Sequence, residues 1–483
     1  MDLRVIACIL GRLAAAMDLA LLFPFAMSLY YAETSRLAFA LTMLICGILG
    51  VFFLTLGQDW RENFTVREGI AITGLGWIMV TLLGMLPYVL GGYLNLLDGT
   101  FESISGFTGT GATVIDSLET LPESILLWRS MTHWLGGLGI IVIFIAVLPQ
   151  MGHSAIYMYK AEISGANSER LLPRLKDMAR VLFKMYVGFT LMACIIFMLC
   201  GMGVLDAVNH AFSTIATGGF STYDSSAGHF DSPWIEGWMT FFMAASGVNF
   251  ALYYKAWLTG PRVFLHNTEF RAYISLLFAA TVLIAVDIGF GMEYTPAQAL
   301  RYATFQVASI ATTGFVSTDF DLWPPFSKFF LMLLMITGGC AGSTAGGLKI
   351  KRVVLLLKIA RASVWQKLHP HIVSEIRMNG ELVPEGTQHR VCLFFFVYMM
   401  FIVFWALLLT SDGINMFDAI GISVTTMGSV GPGFGIAGAT CTYSGLSDFS
   451  KSILCISMML GRLEMFTLLV MLCPSFWRLR KSW

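Results

Sequence analysis

Residues 98–109, 206–217, 297–311 and 416–427 are short segments carrying Ser, Thr and Gly, and each lies between two longer apolar stretches. A bilayer core about 30 Å thick takes roughly 20 residues of helix to cross. The four short segments cannot cross it and read as re-entrant. The apolar stretches can, at 5–31, 37–56, 70–93, 126–148, 181–203, 234–258, 272–291, 329–348, 391–410 and 452–473. Laid over one another, the short segments share a tail: Thr108-Gly109-Thr110-Gly111, Ala216-Thr217-Gly218-Gly219, Ala311-Thr312-Thr313-Gly314 and Gly428-Ser429-Val430-Gly431. Glycine closes every copy, and the copies recur at roughly a hundred residues, the mark of an internal repeat.

The expected fold is therefore an all-α polytopic membrane protein. It has about ten spanning helices, as four pseudo-symmetric membrane–pore-loop–membrane repeats around one pore plus two N-terminal helices. The divisions are 1–68 for the two-helix region, then 69–155, 156–262, 263–365 and 366–483 for the repeats. Composition agrees: 57% of the 483 residues are hydrophobic and 12% charged, against about 25% charged in a soluble chain. The formal net charge is zero, which points away from nucleic acid as a partner. The nine cysteines form no CxxC pair, so neither a disulfide framework nor a zinc site is indicated. The N-terminus carries Arg4 and Arg12 with an apolar run to about Tyr31 and no small-residue cleavage site, which reads as a retained helix.

Charge gives the orientation. The links between repeats hold Lys160, Arg170, Arg174, Lys176 and Arg180, then Lys255, Arg262 and Arg271, then a basic set from Lys349 to Arg390. The opposite loops hold Asp98, Glu102, Asp116, Asp206, Asp224, Asp319, Asp412 and Asp448, with Arg301 one of few basic residues. The positive-inside rule then places both termini in the cytoplasm and opens the re-entrant segments to the outside.

Non-helical backbone at membrane depth persists only when buried in protein or lining an aqueous path. Four strands around an axis could replace a monovalent cation's hydration shell with carbonyl oxygens. Glycine suits such strands because it reaches positive φ cheaply, and each short helix aims the negative end of its dipole at the centre. The candidate filter residues are Thr110, Gly111, Thr217, Gly218, Gly219, Thr313, Gly314, Val430 and Gly431. Backbone carbonyls at Gly111, Gly219, Gly314 and Gly431 would hold the ion.

Two features lie beside the filter. Arg462 sits within the last span, where a charge costs about 2.5–3.5 kcal/mol and faces a cavity or a partner. It reads either as a plug that repels cations or as half of a structural ion pair. Gly339, Gly342 and Gly346 belong to the glycine-dense run 338–347 inside the eighth span. Each glycine costs a helix about 1 kcal/mol, so this run is expected to be an unwound intramembrane loop, either a mobile gate or a close-packing site. The eight histidines are scattered and read as structural or surface residues. Trp128 and Trp134 read as interfacial anchors.

The strings SGFTGTGATVID, AFSTIATGGFST, FQVASIATTGF, GGCAGSTAGGLKIKR, WLGGLGIIVIFIAVLP and GRLEMFTLLV resemble the Trk potassium-uptake membrane subunits, TrkH and TrkG, of the Trk/Ktr/HKT superfamily. The resemblance covers essentially the whole chain. It implies potassium uptake across a bacterial inner membrane by a homodimer with one pore per subunit. It also implies Arg462 as a plug below the filter, and a cytosolic RCK-type regulator that binds the nucleotide and docks on the inner face. No covalently bound cofactor is expected; potassium would be cargo, and lipid the surrounding partner. Gly109, the Thr313-Gly314 junction and Gly428-Ser429 depart from the family's usual strings beside the filter, where they bear on potassium-over-sodium discrimination. With one signature glycine per loop, selectivity looser than a tetrameric potassium channel's is expected. A less selective sodium, potassium or ammonium conduit and an ion-coupled symporter stay open. A membrane enzyme is the remote alternative, since no catalytic constellation is present.

Overall fold

The computed structural model describes residues 1–58, 65–137, 139, 174–369, 375–463 and 465–477. The far part of the expected fourth span (140–148), most of the basic link 149–180, His153, His371, Glu464, Arg478, Arg480 and Lys481 lie outside the described residues.

Among the described residues six helices are long and apolar enough to cross a membrane: Leu3–Tyr30, Arg36–Leu56, Val66–Leu90, Ala179–Leu199, Thr268–Gly291 and Glu385–Ser411. The third pauses at Met85, ahead of Pro87, whose missing N–H cannot continue the ladder. The first two lie against each other through small residues. A methyl group on Gly11 would stand 2.8 Å from the Leu54 amide nitrogen, and one on Gly57 would stand 2.5 Å from that of Cys8. Backbones approach this closely in lipid because little else drives helices together there. Outward faces carry Phe278, Phe290, Leu333, Phe396 and Leu407, all exposed, as an apolar solvent requires.

The four short helices are Leu96–Thr108, Val204–Ala216, Pro296–Thr312 and Met416–Gly428, close to the expected limits. Their starts are capped by side chains in three cases. Asn95 accepts from the Asp98 amide at 2.8 Å, Thr295 and Gln298 form a capping box, and Asn415 accepts from the Phe417 amide at 3.4 Å.

The ten-span expectation needs one revision. In repeats two, three and four the helix that follows the glycine-bearing strand is broken among the described residues. Repeat one gives Glu123–Gly137. Repeat two gives Pro233–Ser246, then Phe250–Thr259. Repeat three gives Pro325–Thr337, then the expected unwound stretch, then Ile350–Leu368. Repeat four gives Asp448–Arg462, then Met465–Leu472. The spans 234–258 and 452–473 are thus broken rather than continuous. In repeat two the break is stabilised locally: the Asn249 side chain accepts from the Ala251 amide at 2.9 Å, and the Gly247 carbonyl accepts from the Cys340 amide at 2.8 Å.

Packing closes the repeats into a ring. Ile215 and Phe242 of repeat two share a core with Phe305 and Phe315 of repeat three. Ile310 and Leu331 share one with Val430 and Phe434 of repeat four. Ile422 and Leu454 then meet Phe101 and Ile104 of repeat one, and the His133 ring stacks on Phe220 at 4.0 Å to join repeats one and two.

Candidate functional site

Each short helix ends by running into one of the glycine-bearing strands. Gly109, Thr217 and Ser429 leave their helices in the left-handed region, at φ 67°, 55° and 55°. The next amide then reaches back to close the last turn: Thr110 to the Ser105 carbonyl at 2.9 Å, Gly218 to Ser213 at 2.9 Å, Val430 to Thr425 at 3.0 Å. Gly109 therefore stands where a positive φ is needed, and it takes that conformation more cheaply than threonine does. Repeat three differs. Its helix runs on to Thr312, Thr313 has φ −124°, and the Gly314 amide reaches the Ser309 carbonyl at 2.9 Å.

Gly111, Gly219, Gly314 and Gly431 share positive φ values of 80°, 82°, 101° and 103°. Their neighbours reveal the site's geometry. A methyl group on Gly111 would collide with the Gly218 carbonyl oxygen of repeat two. On Gly219 it would lie 2.6 Å from the Thr313 carbonyl oxygen of repeat three. On Gly314 it would collide with the Val430 carbonyl of repeat four, and on Gly431 it would lie 2.6 Å from the Thr110 carbonyl of repeat one. The contacts run one to two, two to three, three to four and four back to one, always onto the carbonyl just before the next glycine. Eight of the nine candidate filter residues fall in this ring; Thr217 stands just before it, at the end of its short helix. Gly218 is constrained twice, since a side chain there would also strike the His133 ring.

The run from Gly338 to Lys349 lies against the helix ends of this ring. Thr217 donates its hydroxyl to that of Thr344 at 3.1 Å, and Thr344 donates to the Ile215 carbonyl at 3.1 Å. A methyl on Gly346 would collide with the Gly428 carbonyl. Arg462 donates to the Thr344 carbonyl at 2.9 Å and to the Gly136 and Gly137 carbonyls at 2.6 and 2.8 Å. Gly339 and Gly342 sit further off, against Gly247 and Asn249 at the break of repeat two. Gly346 and Arg462 thus meet one loop beside the ring, while Gly339 and Gly342 anchor its other side.

Several neighbours escaped the sequence reading. Glu102, grouped above with the acidic outer loops, is wholly buried and pairs with buried Arg129 at 2.8 Å. Its hydrogen bonds with the Thr113 hydroxyl and the Val114 amide are invisible to a linear charge count. Trp128 is not an interfacial anchor. It is fully buried and donates to the Gly84 carbonyl at 2.9 Å. Trp134 donates to the Thr190 hydroxyl at 3.1 Å. His133 and His210 are buried behind the ring, and His210 Nε2 lies 3.1 Å from the Ser221 hydroxyl.

On the acid-rich side a cavity of about 120 Å³ is lined by all four ring glycines, Asp116 and Tyr443. Tyr443 donates to the Gly431 carbonyl at 2.7 Å. Asp116 accepts from the hydroxyl groups of Ser444 and Thr442, which hold its carboxyl below its usual pKa, Ser444 first. A depressed folded pKa contributes stability that is complete above the unfolded value, about 3.9, and is lost as pH falls through the lowered one. Asp116→Asn should therefore lower the melting temperature of detergent-solubilised protein at pH 7. The difference from wild type should close in acid below about pH 4; a difference unchanged there would contradict this clamp.

The family profile described as TrkH, cation transport protein, matches residues 35–478. The chain belongs to this family. The Trk system potassium uptake protein TrkH of Halomonas elongata is 36% identical over 483 residues, covering 99% of this chain and 100% of its own length. TrkG of Escherichia coli is 31% identical, covering 98% and 99%. The crystal structure of the potassium transporter TrkH from Vibrio parahaemolyticus superposes with a TM-score of 0.90 at 33% identity, over 99% of this chain and 100% of that one. The TrkH fold thus extends through all four repeats and the two N-terminal helices.

Proposed function

We propose that this TrkH-family chain takes up potassium through the four-strand ring and is a transporter, not an enzyme. The observation that carries the reading is the cyclic contact of four positive-φ glycines with the preceding carbonyl of the next repeat. Four carbonyl dipoles held at one level suit a monovalent cation stripped of water. The acid-rich mouth raises local cation concentration. Relatives named as potassium uptake proteins supply the ion.

The run Gly338–Lys349 and Arg462 form the gate. The arginine places a fixed positive charge beside the pathway and ties the loop to the end of the helix Glu123–Gly137. The relatives' names place them in a Trk system, and a cytosolic nucleotide-binding subunit would regulate the gate from the basic side. The helix Ile350–Leu368 exposes Arg361, Lys367 and Leu357 there, directly after the gate loop. The chain works as a homodimer in a bacterial inner membrane with both termini cytoplasmic. Looser discrimination than in a tetrameric channel is favoured by repeat three, where Thr313 lacks the left-handed turn of the other three strands.

The test is rubidium uptake by a bacterial strain without its own potassium uptake systems. Expression of this chain should restore uptake and growth at low potassium. No uptake, with the chain and its regulator both present, would remove the reading.

A further inference from the structure

Repeat one holds a charged strut behind its filter strand where repeat four holds hydrocarbon. Glu102 and Arg129 are 0% and 1% exposed and meet at 2.8 Å. In register before the ring glycine, Ile422 of repeat four stands where Glu102 stands. Gly136 lies on the Phe107 carbonyl and Gly461 on that of Met427, so these two glycines correspond. Counting back equally from them puts Leu454 where Arg129 stands. Ile422 and Leu454 are both fully buried in one apolar cluster.

A repeat of this kind therefore packs without the ion pair. Burying two charges gains little over hydrocarbon of similar volume unless they do something hydrocarbon cannot. Here the fork of Arg129 crosses between strands. Its Nε pairs with Glu102, one Nη donates to the Thr113 hydroxyl at 3.3 Å, and the other donates to the Ser221 carbonyl at 3.1 Å. The guanidinium also lies 4.1 Å from the Phe220 ring centre. Glu102 accepts from the Thr113 hydroxyl and the Val114 amide, each at 3.1 Å. Thr113 and Val114 follow Gly111 in strand one; Phe220 and Ser221 follow Gly219 in strand two. One rigid planar group thus fixes the exits of two adjacent filter strands relative to each other. In repeat two His210 stands at this position, with Nε2 on the Ser221 hydroxyl and Nδ1 on the Asp206 carbonyl, both within its own repeat.

We propose that Glu102 and Arg129 are positioning residues that hold strands one and two at the spacing that favours potassium over sodium. This rests on the pore reading above. Without the fork, the Gly111 and Gly218 carbonyls drift apart, and a filter that no longer matches one cation loses discrimination before it loses flux.

The experiment compares rubidium and sodium uptake in the same strain, with membrane levels measured for each variant. Glu102→Ile/Arg129→Leu copies the repeat-four pair and should reach the membrane at wild-type levels. Its rubidium-to-sodium ratio should fall on the order of tenfold, which corresponds to about 1.4 kcal/mol. Thr113→Val keeps the shape and removes the hydroxyl shared by both charges. Its ratio should fall in the same direction, about threefold. Wild-type ratios in whichever of these variants reach the membrane overturn the strut alone. Absence of rubidium uptake by the wild type overturns the pore reading and the strut with it.

Discussion

Gly314→Ser should lower rubidium uptake and discrimination against sodium at least tenfold while leaving the chain in the membrane. Gly314 has φ 101°, a region that L side chains enter at a cost of about 1–3 kcal/mol. Its added Cβ would also collide with the Val430 carbonyl oxygen and stand 3.1 Å from the Pro432 ring. The carbonyl is the softer obstacle, so it turns away, and the damage appears in the ligand set supplied by repeat four. The same logic assigns Gly431→Ser to the Thr110 carbonyl of repeat one. Sodium and rubidium uptake, normalised to membrane protein, check both variants. Uptake and selectivity equal to wild type in either would separate the ring from transport.

Arg462→Ala should raise uptake by roughly tenfold to a hundredfold, with loss of dependence on any cytosolic regulator. Two effects act together. A unit charge some 6 Å from a passing cation opposes it by about 3 kcal/mol at an effective dielectric near 20. The side chain also donates to the Thr344, Gly136 and Gly137 carbonyls, so its removal frees the loop from the helix end. Arg462→Lys separates the two. A lysine keeps the charge but not the planar fork. Uptake close to wild type in the lysine variant assigns the effect to charge, and uptake close to that of alanine assigns it to the tether. If the alanine variant takes up no more rubidium than wild type, Arg462 is no gate.

The repeat and its punctuation were legible because they depend on short-range chemistry. A segment of thirteen residues such as Val204–Ala216 is too short to span, and glycine recurs where the chain needs positive φ. The unwound run Gly338–Lys349 follows from glycine density in the same way. What stayed hidden depends on contacts between distant residues. The break at Gly247–Asn249 interrupts an apolar run without announcing itself, because its partner is the Cys340 amide of another repeat. Glu102 looks like one more acid of an outer loop, yet it finds Arg129 on the helix beyond the glycine-bearing strand. Trp128 has the composition of an interfacial anchor, but its indole N–H is satisfied inside, on Gly84. The order of the ring was also out of reach. Four similar strings fix how many strands meet, whereas which carbonyl faces which glycine is set by packing.

If four carbonyl-bearing strands select a dehydrated cation, external cations compete for the same sites according to how well they fit. Rubidium uptake by cells expressing the wild-type chain should be suppressed by external potassium at concentrations where equal sodium leaves most of it. Suppression by sodium and potassium alike, or rubidium entry indifferent to potassium, would contradict the account.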